Sequence, residues 1–153
     1  MGFKLGSLHL PYQLDAKPEN CERAVEVPLG RWFLDKFKND AIEVGAVMPQ
    51  HGRALHRIID LYDHWPTSIR VDAGQVNYAE QNVLSLSTVE HIGYKVDEYQ
   101  RSGVPPQKED AAAAQRCVQK IMAEAAHYLI TWPIGFHAHL DSWASENLNG
   151  PAR

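Results

Sequence analysis

Very little in this 153-residue chain supports a disulfide scaffold, a membrane span or a nucleic-acid surface. Two cysteines are present, Cys21 and Cys117, far apart and in no CxxC pair. That spacing gives neither a disulfide framework nor a thiolate zinc site, so buried thiols in a reducing compartment are the expectation. No apolar run approaches the ~20 residues that a bilayer-spanning helix needs. The opening MGFKLGSLHLPYQL has too short an apolar centre and too few basic residues for a secretory signal. Gly6 stands where a myristoylation motif needs Ser or Thr. Lys and Arg number 15 against 19 Asp and Glu, a formal charge of −4 with no basic cluster. Sequence-independent nucleic-acid binding runs on phosphate neutralisation, so this balance argues against it. No GxSxG elbow, P-loop or Cys–His arrangement is present, which leaves nucleophilic and phosphoryl-transfer chemistry without support. A cytoplasmic protein with no nucleic-acid or membrane partner is expected.

What is present is an ordinary globular balance, 44% hydrophobic and 22% charged, in a chain long enough for one domain with a sizeable core. Residues 1–19 show no sustained period and read as an irregular arm; residues 20–153 read as a single domain. Asn20 can cap a short turn through Cys21–Val27 that Pro28 interrupts. Leu29, Trp32, Phe33 and Phe37 recur at helical spacing over 29–38. Strands are expected at Ala41–Val47, His56–Leu61, Ser68–Val71, Asn82–Ser87 and Tyr128–Trp132. The segment 48–55, with Pro49 and Gly52, is too broken for a long helix. Residues 93–107 read as a polar surface loop. Lys108–Ala126 is the clearest helix, with Ala114, Val118, Ile121 and Ala125 on one face. The tail from Asp141 reads as a helix fragment or frayed end.

The order strand, break, three strands, helix, strand predicts an α/β fold: a mostly parallel sheet with flanking helices. Such sheets bind ligands at the carboxyl ends of their strands. Glu43, Gly45, Asp60, Asp72 and the run Ser87–His91 all fall at or near those ends. Gly45 has no side chain to hold a ligand away from the backbone. Asp60 is placed to accept hydrogen bonds from a ribose diol, and Asp72 from an exocyclic amine. Each acidic residue taken alone also reads as a solvated turn residue or a cap.

Glu43-Val44-Gly45, then Asp60, Asp72 and the run SLSTVEHIG at 85–93, together resemble the class I S-adenosylmethionine-dependent methyltransferases. The resemblance is nearest to a group of small bacterial-type methyltransferase-like proteins. These pair an ExGN-like first motif with an S-x-S-T-x-E-H-x-G run after the fourth strand. It covers about residues 20–141, with NCERAVEVP at 20–28 and TWPIG at 131–135 matching the group's lead-in and fifth strand. The resemblance implies a Rossmann-like fold holding S-adenosylmethionine. Glu43 and Gly45 would then lie against the methionine and ribose portions, Asp60 on the ribose hydroxyls and Asp72 facing the adenine. Ser87, Thr88, Glu90 and His91 would line the place where methyl donor and acceptor meet.

Under that reading the reaction is methyl transfer to a small molecule or saccharide hydroxyl. His91 is the general base, and Glu90 orients it or binds the acceptor. Adjacent residues on a strand face opposite ways, so both reach one site only from a loop. A cap at a helix start is the structural alternative for Glu90-His91. Ala46-Val47-Met48 stands where the family has further glycines, and the chain ends soon after the fifth strand, short of the family's last two. Either the domain is a minimal version, or a partner, for instance a second copy in a homodimer, completes the sheet. These departures favour a rival class, a catalytically silent methyltransferase-like binding module. His137-Ala138-His139-Leu140-Asp141 resembles half of an HxHxDH metal site, but position 142 is Ser and no partner ligands are evident, so no metal is expected.

Overall fold

The computed structural model describes residues 2–13, 22–60, 65–93 and 110–148. Expectations placed on Asn20, Cys21, Leu61, His64, 94–107 and Lys108-Glu109 lie outside them. The fold is α/β, built on a four-stranded parallel sheet with three helices.

The N-terminal segment is ordered into structure rather than an irregular arm. β1 (Gly2–Leu5) and β2 (Leu8–Pro11) pair antiparallel in the register Leu5↔Leu8. The two-residue loop between them puts Gly6 at φ 59°, a conformation that tight hairpin turns reserve for glycine at the first central position. Helix α1 (Arg23–Lys36) then runs straight through Pro28. A proline inside a helix cannot donate to the carbonyl four residues back and normally breaks it at a cost of ~3 kcal/mol. Here the abandoned acceptor, Ala24 O, takes a hydrogen bond from Gln13 N at 3.0 Å instead. The segment leading out of the hairpin therefore repairs the helix, and the two expected pieces are one element.

β3 (Ile42–Val44), β4 (Arg57–Ile59), β5 (Asn82–Leu86) and β6 (His127–Thr131) form the main sheet in the order β4-β3-β5-β6, all parallel. The expected strand at Ser68–Val71 contributes one parallel bridge, Ile69 to Ile59, outside β4. The chain thus starts in the middle of the sheet and steps outward through β4 to Ile69. It then crosses back to the other side of β3 for β5 and β6. Four of the five expected strands are present at their positions and the one at 68–71 is reduced to that bridge; β3 and β5 stop earlier than expected where the backbone turns left-handed at Gly45 and Ser87.

Alternation along the strands assigns the two faces. Leu84 and Leu86 meet Phe33, Leu34 and Met48 on the α1 face. Ile42, Val44 and Val83 meet Cys117 and Ile121 on the other, which α2 (Ala113–Glu124) covers. Each such buried side chain contributes about 1.5–3 kcal/mol. α1 packs close because of Gly30, where a Cβ would lie 2.6 Å from Met48 Sδ and 2.9 Å from Leu86 Cδ1. The tail forms a full helix, α3 (Ala138–Asn147), anchored by Leu140 against Val89, Ala114 and Val118.

Candidate functional site

Because every strand of the main sheet is parallel, all four carboxyl ends lie along one edge. A cavity of about 540 Å³ opens there, lined by strand-end residues and by one face of α2. Of the expected site residues, Gly45, Asp60, Asp72, Thr88 and His91 line it. They come from the ends of β3, β4, the Ile69 bridge and β5, so residues far apart in sequence converge on one volume.

Each is held by local backbone structure. Gly45 turns at φ 93°, and its N–H bonds Ile59 O at 2.8 Å. A Cβ on Gly45 would lie 2.3 Å from Thr88 Oγ1, so the glycine makes room for Thr88 across the switch between β3 and β5. That differs from the expected use of this space for a ligand's approach. Asp60 is 5% exposed, and its N–H donates to Ile69 O at 3.1 Å, which fixes the carboxylate at the strand end. Asp72 accepts from Gly74 N at 2.7 Å and opens the 3-10 turn Ala73–Gln75. Val44, Ile59, Val71 and Ile92 supply apolar wall between these polar groups.

Three expected site residues point elsewhere. Glu43 is fully buried beneath the cavity floor, not against a ligand. Its Oε1 accepts from Val47 N and Met48 N, both at 2.9 Å, and its Oε2 meets His56 Nε2 at 2.6 Å. Its β3 neighbours Ile42 and Val44 face α2, so alternation sends Glu43 to the α1 face. There it clamps the loop that carries Gly45. Ser87 also leaves the cavity. Alternation from Val83 and Ser85 would send it toward α2, but the left-handed kink at φ 40° turns it over. Ser87 Oγ donates to Glu26 Oε1 at 2.6 Å, and Thr131 Oγ1 donates to the same oxygen. A non-glycine residue in this region costs on the order of 1–3 kcal/mol, a strain typical of functional turns.

Glu90 is the third. It lies behind the cavity wall with its side chain 2% exposed, and its Oε1 stands 3.6 Å from His91 Nε2. The 3-10 turn Val89–His91 is the loop conformation that brings the adjacent pair together. Thr88 makes no side-chain cap there, which disfavours the helix-cap alternative. Burial pushes the Glu90 carboxyl up to about 8, against the pull of its own backbone N–H, with the nearby Glu26 adding to the rise and Arg23 opposing it. The His91 ring meets Phe136 edge-on at 5.0 Å.

The α2 side of the cavity was not anticipated. Ala113, Arg116, Cys117 and Lys120 face it at i, i+3, i+4 and i+7 spacing, a stripe that could have been read as a second helix face. Arg116 pairs with the exposed Asp110 and holds that carboxyl below its usual range. Lys120 pairs with Glu124 at 2.9 Å. Burial, reinforced by the charge of Asp72, pushes the Cys117 thiol up to about 12, so it is a packing group and not a nucleophile.

The HxHxD run is taken apart by α3. His137 is fully buried as the helix cap, its Nδ1 accepting from Leu140 N at 3.1 Å. His139 turns to Gln115 at 2.7 Å. Asp141 accepts from Trp132 Nε1 at 3.0 Å and Gly135 N at 2.9 Å. Among the described residues no group of three or more His, Cys, Asp and Glu is arranged to hold a metal ion. Nor is any described helix long and apolar enough to cross a membrane.

The fold and site together define an α/β protein with a strand-end cavity carrying two buried or capped carboxylates and an imidazole. Comparison with protein-family models, curated proteins and solved structures finds no match to this chain.

Proposed function

We propose that the cavity binds S-adenosylmethionine and that the protein transfers its methyl group to a small-molecule or saccharide hydroxyl. One observation carries this reading. Carboxylates stand at the ends of two successive sheet positions, Asp60 and Asp72, and share one cavity with Gly45, Thr88 and His91. The order Ile69 bridge-β4-β3-β5-β6 corresponds to strands 3-2-1-4-5 of a doubly wound, Rossmann-like sheet, in which ligands bind at this edge.

The residues present fit the cofactor. A volume of about 540 Å³ falls within the ~300–1,000 Å³ usual for small-molecule sites. Asp60 supplies acceptors for a ribose diol, and Asp72 one for an exocyclic amine. Val44, Ile59, Val71 and Ile92 offer the apolar surface that a purine ring buries. The bound cofactor would supply an electrophilic methyl group on a sulfonium. The chain's own part is to orient the acceptor, and positioning is worth up to about 7–11 kcal/mol. His91, at the cavity wall, is the base for the acceptor's proton, a contribution of about 10²–10⁴-fold. Glu43 holds the Gly45 loop through Val47 and Met48 and touches neither cofactor nor acceptor.

A second reading, a catalytically silent binding module of the same fold, is favoured by Thr88 filling the space beside Gly45. Isothermal titration with S-adenosylmethionine and S-adenosylhomocysteine tests the first reading. Micromolar binding that Asp60→Ala abolishes supports it. Absence of binding at millimolar ligand, or affinity indifferent to Asp60→Ala, refutes it. Binding without methylation across a screen of hydroxyl acceptors favours the silent module.

A further inference from the structure

Behind His91 lies an almost fully buried carboxyl group. Glu90 is 1% exposed, and its Oε2 has no hydrogen-bond partner among the described residues. Its ionic surroundings come from the start of α1: Glu22, Arg23 and Glu26. Arg23 is already engaged by Glu26 Oε2 at 2.5 Å, so one guanidinium faces three carboxyl groups. The other elements packed on this turn bring apolar side chains, Ala114 and Val118 of α2 and Leu140 of α3, against Val89. The His91 imidazole stands 3.6 Å from Oε1 and itself lines the cavity, which links Glu90 to that volume.

A buried carboxylate with an unsatisfied oxygen is costly, so in the free protein, with Arg23 shared with Glu26, the neutral acid is the stable form. A positive charge placed in the cavity reverses that preference. We propose that Glu90 is the counter-charge by which the site distinguishes a cationic sulfonium ligand from its neutral thioether product. The inference rests on the methyltransferase reading of the cavity.

The charge account closes over a turnover. The S–CH₃ bond breaks with its electron pair left on sulfur, and a lone pair of the acceptor oxygen forms the new C–O bond. The acceptor's proton passes to His91 and then to Glu90. A sulfonium beside a carboxylate becomes a thioether beside a carboxylic acid, neutral at both ends. The site thereby favours a protic acceptor, one that has a proton to return.

Calorimetry of the full chain at pH 7, in phosphate and in Tris, counts the protons released on binding. With Glu90 pushed up to about 8 in the free protein, S-adenosylmethionine should release close to one proton. S-adenosylhomocysteine should release almost none. Affinity for the sulfonium should strengthen by up to ~10-fold per pH unit between pH 6 and 8, with the thioether unaffected. Glu90→Gln, which mimics the neutral acid in shape, should abolish the proton release and weaken sulfonium binding relative to thioether binding. Equal release for both ligands in the unaltered protein overturns the proposal without any variant, as does release that persists in Glu90→Gln. If neither ligand binds, the reading of the cavity itself fails and this inference falls with it.

Discussion

Glu43 offers the sharpest test of how this site is built, because its side chain is the hub of a fully buried cluster. Replacing it with alanine strips Val47 N–H and Met48 N–H of their shared acceptor and leaves His56 Nε2 facing a void. Each buried polar group so abandoned costs about 1–3 kcal/mol. Partial collapse and water entry reduce the sum, so Glu43→Ala should lose roughly 3–6 kcal/mol, a large share of the ~5–15 kcal/mol typical of a domain. Glu43→Gln keeps a carbonyl oxygen for the two N–H groups and forfeits mainly the charge-assisted bond to His56, a loss of about 1–2 kcal/mol. Urea unfolding reads both directly. With a slope of ~1–3 kcal/mol per molar, the alanine variant should shift the midpoint by at least ~1 M and the glutamine variant by much less. In Glu43→Gln, which leaves the Gly45 loop clamped, S-adenosylhomocysteine affinity should be unchanged. A glutamine variant as unstable as the alanine one, or one that folds normally but loses the ligand, would refute the clamp and return Glu43 to the binding surface.

Gly45→Ala should destabilise by roughly 2–5 kcal/mol, since φ 93° is strained for alanine and its Cβ would sit 2.3 Å from Thr88 Oγ1. Adding Thr88→Ala should return part of that loss in thermal unfolding. Glu90 holds its proton to about 8 in the folded chain and loses it near 4.5 when unfolded, so the folded state binds the extra proton between those values. Stability should therefore be fullest at acid pH and fall as pH rises toward 8, by up to ~1.4 kcal/mol per unit. Urea titrations at pH 5, 6, 7 and 8 should show this slope, and Glu90→Gln should flatten it. His137→Ala removes the buried cap of α3 and should cost about 1–2 kcal/mol, with faster hydrogen exchange at Leu140 and Asp141. His139→Ala, on an exposed residue of the same run, should leave stability unchanged; added zinc that stabilised the protein through these histidines would contradict the capping role.

Local patterning carried the sheet. Short apolar runs such as Asn82–Leu86 are strands wherever they are buried, and a helical stripe such as Ala114, Val118 and Ile121 needs only its own period to be recognised. That Gly45, Asp60, Asp72, Thr88 and His91 share one cavity was legible for the same reason: parallel strands release their ends at one edge, so position after a strand is position at the cavity. The hairpin at 2–11 escaped notice because four-residue strands leave too few alternations around Gly6-Ser7 to register. Pro28 spoke against a continuous helix, since the rescue of Ala24 O by Gln13 N is a contact between separate elements.

Which way a side chain turns at a strand end was beyond the reach of the sequence. The kink at Ser87 rotates its hydroxyl to Glu26 and Glu43 is drawn under the floor to His56, while the 3-10 turn after Thr88 keeps Glu90 and His91 within 3.6 Å yet gives only His91 to the cavity. The sequence by itself determined the parallel strands, the edge at which they end and the residue types gathered there. The tertiary structure alone decided which carboxyl groups face the cavity and which are spent inside the fold, because that depends on backbone kinks and hydrogen-bond partners brought from other elements.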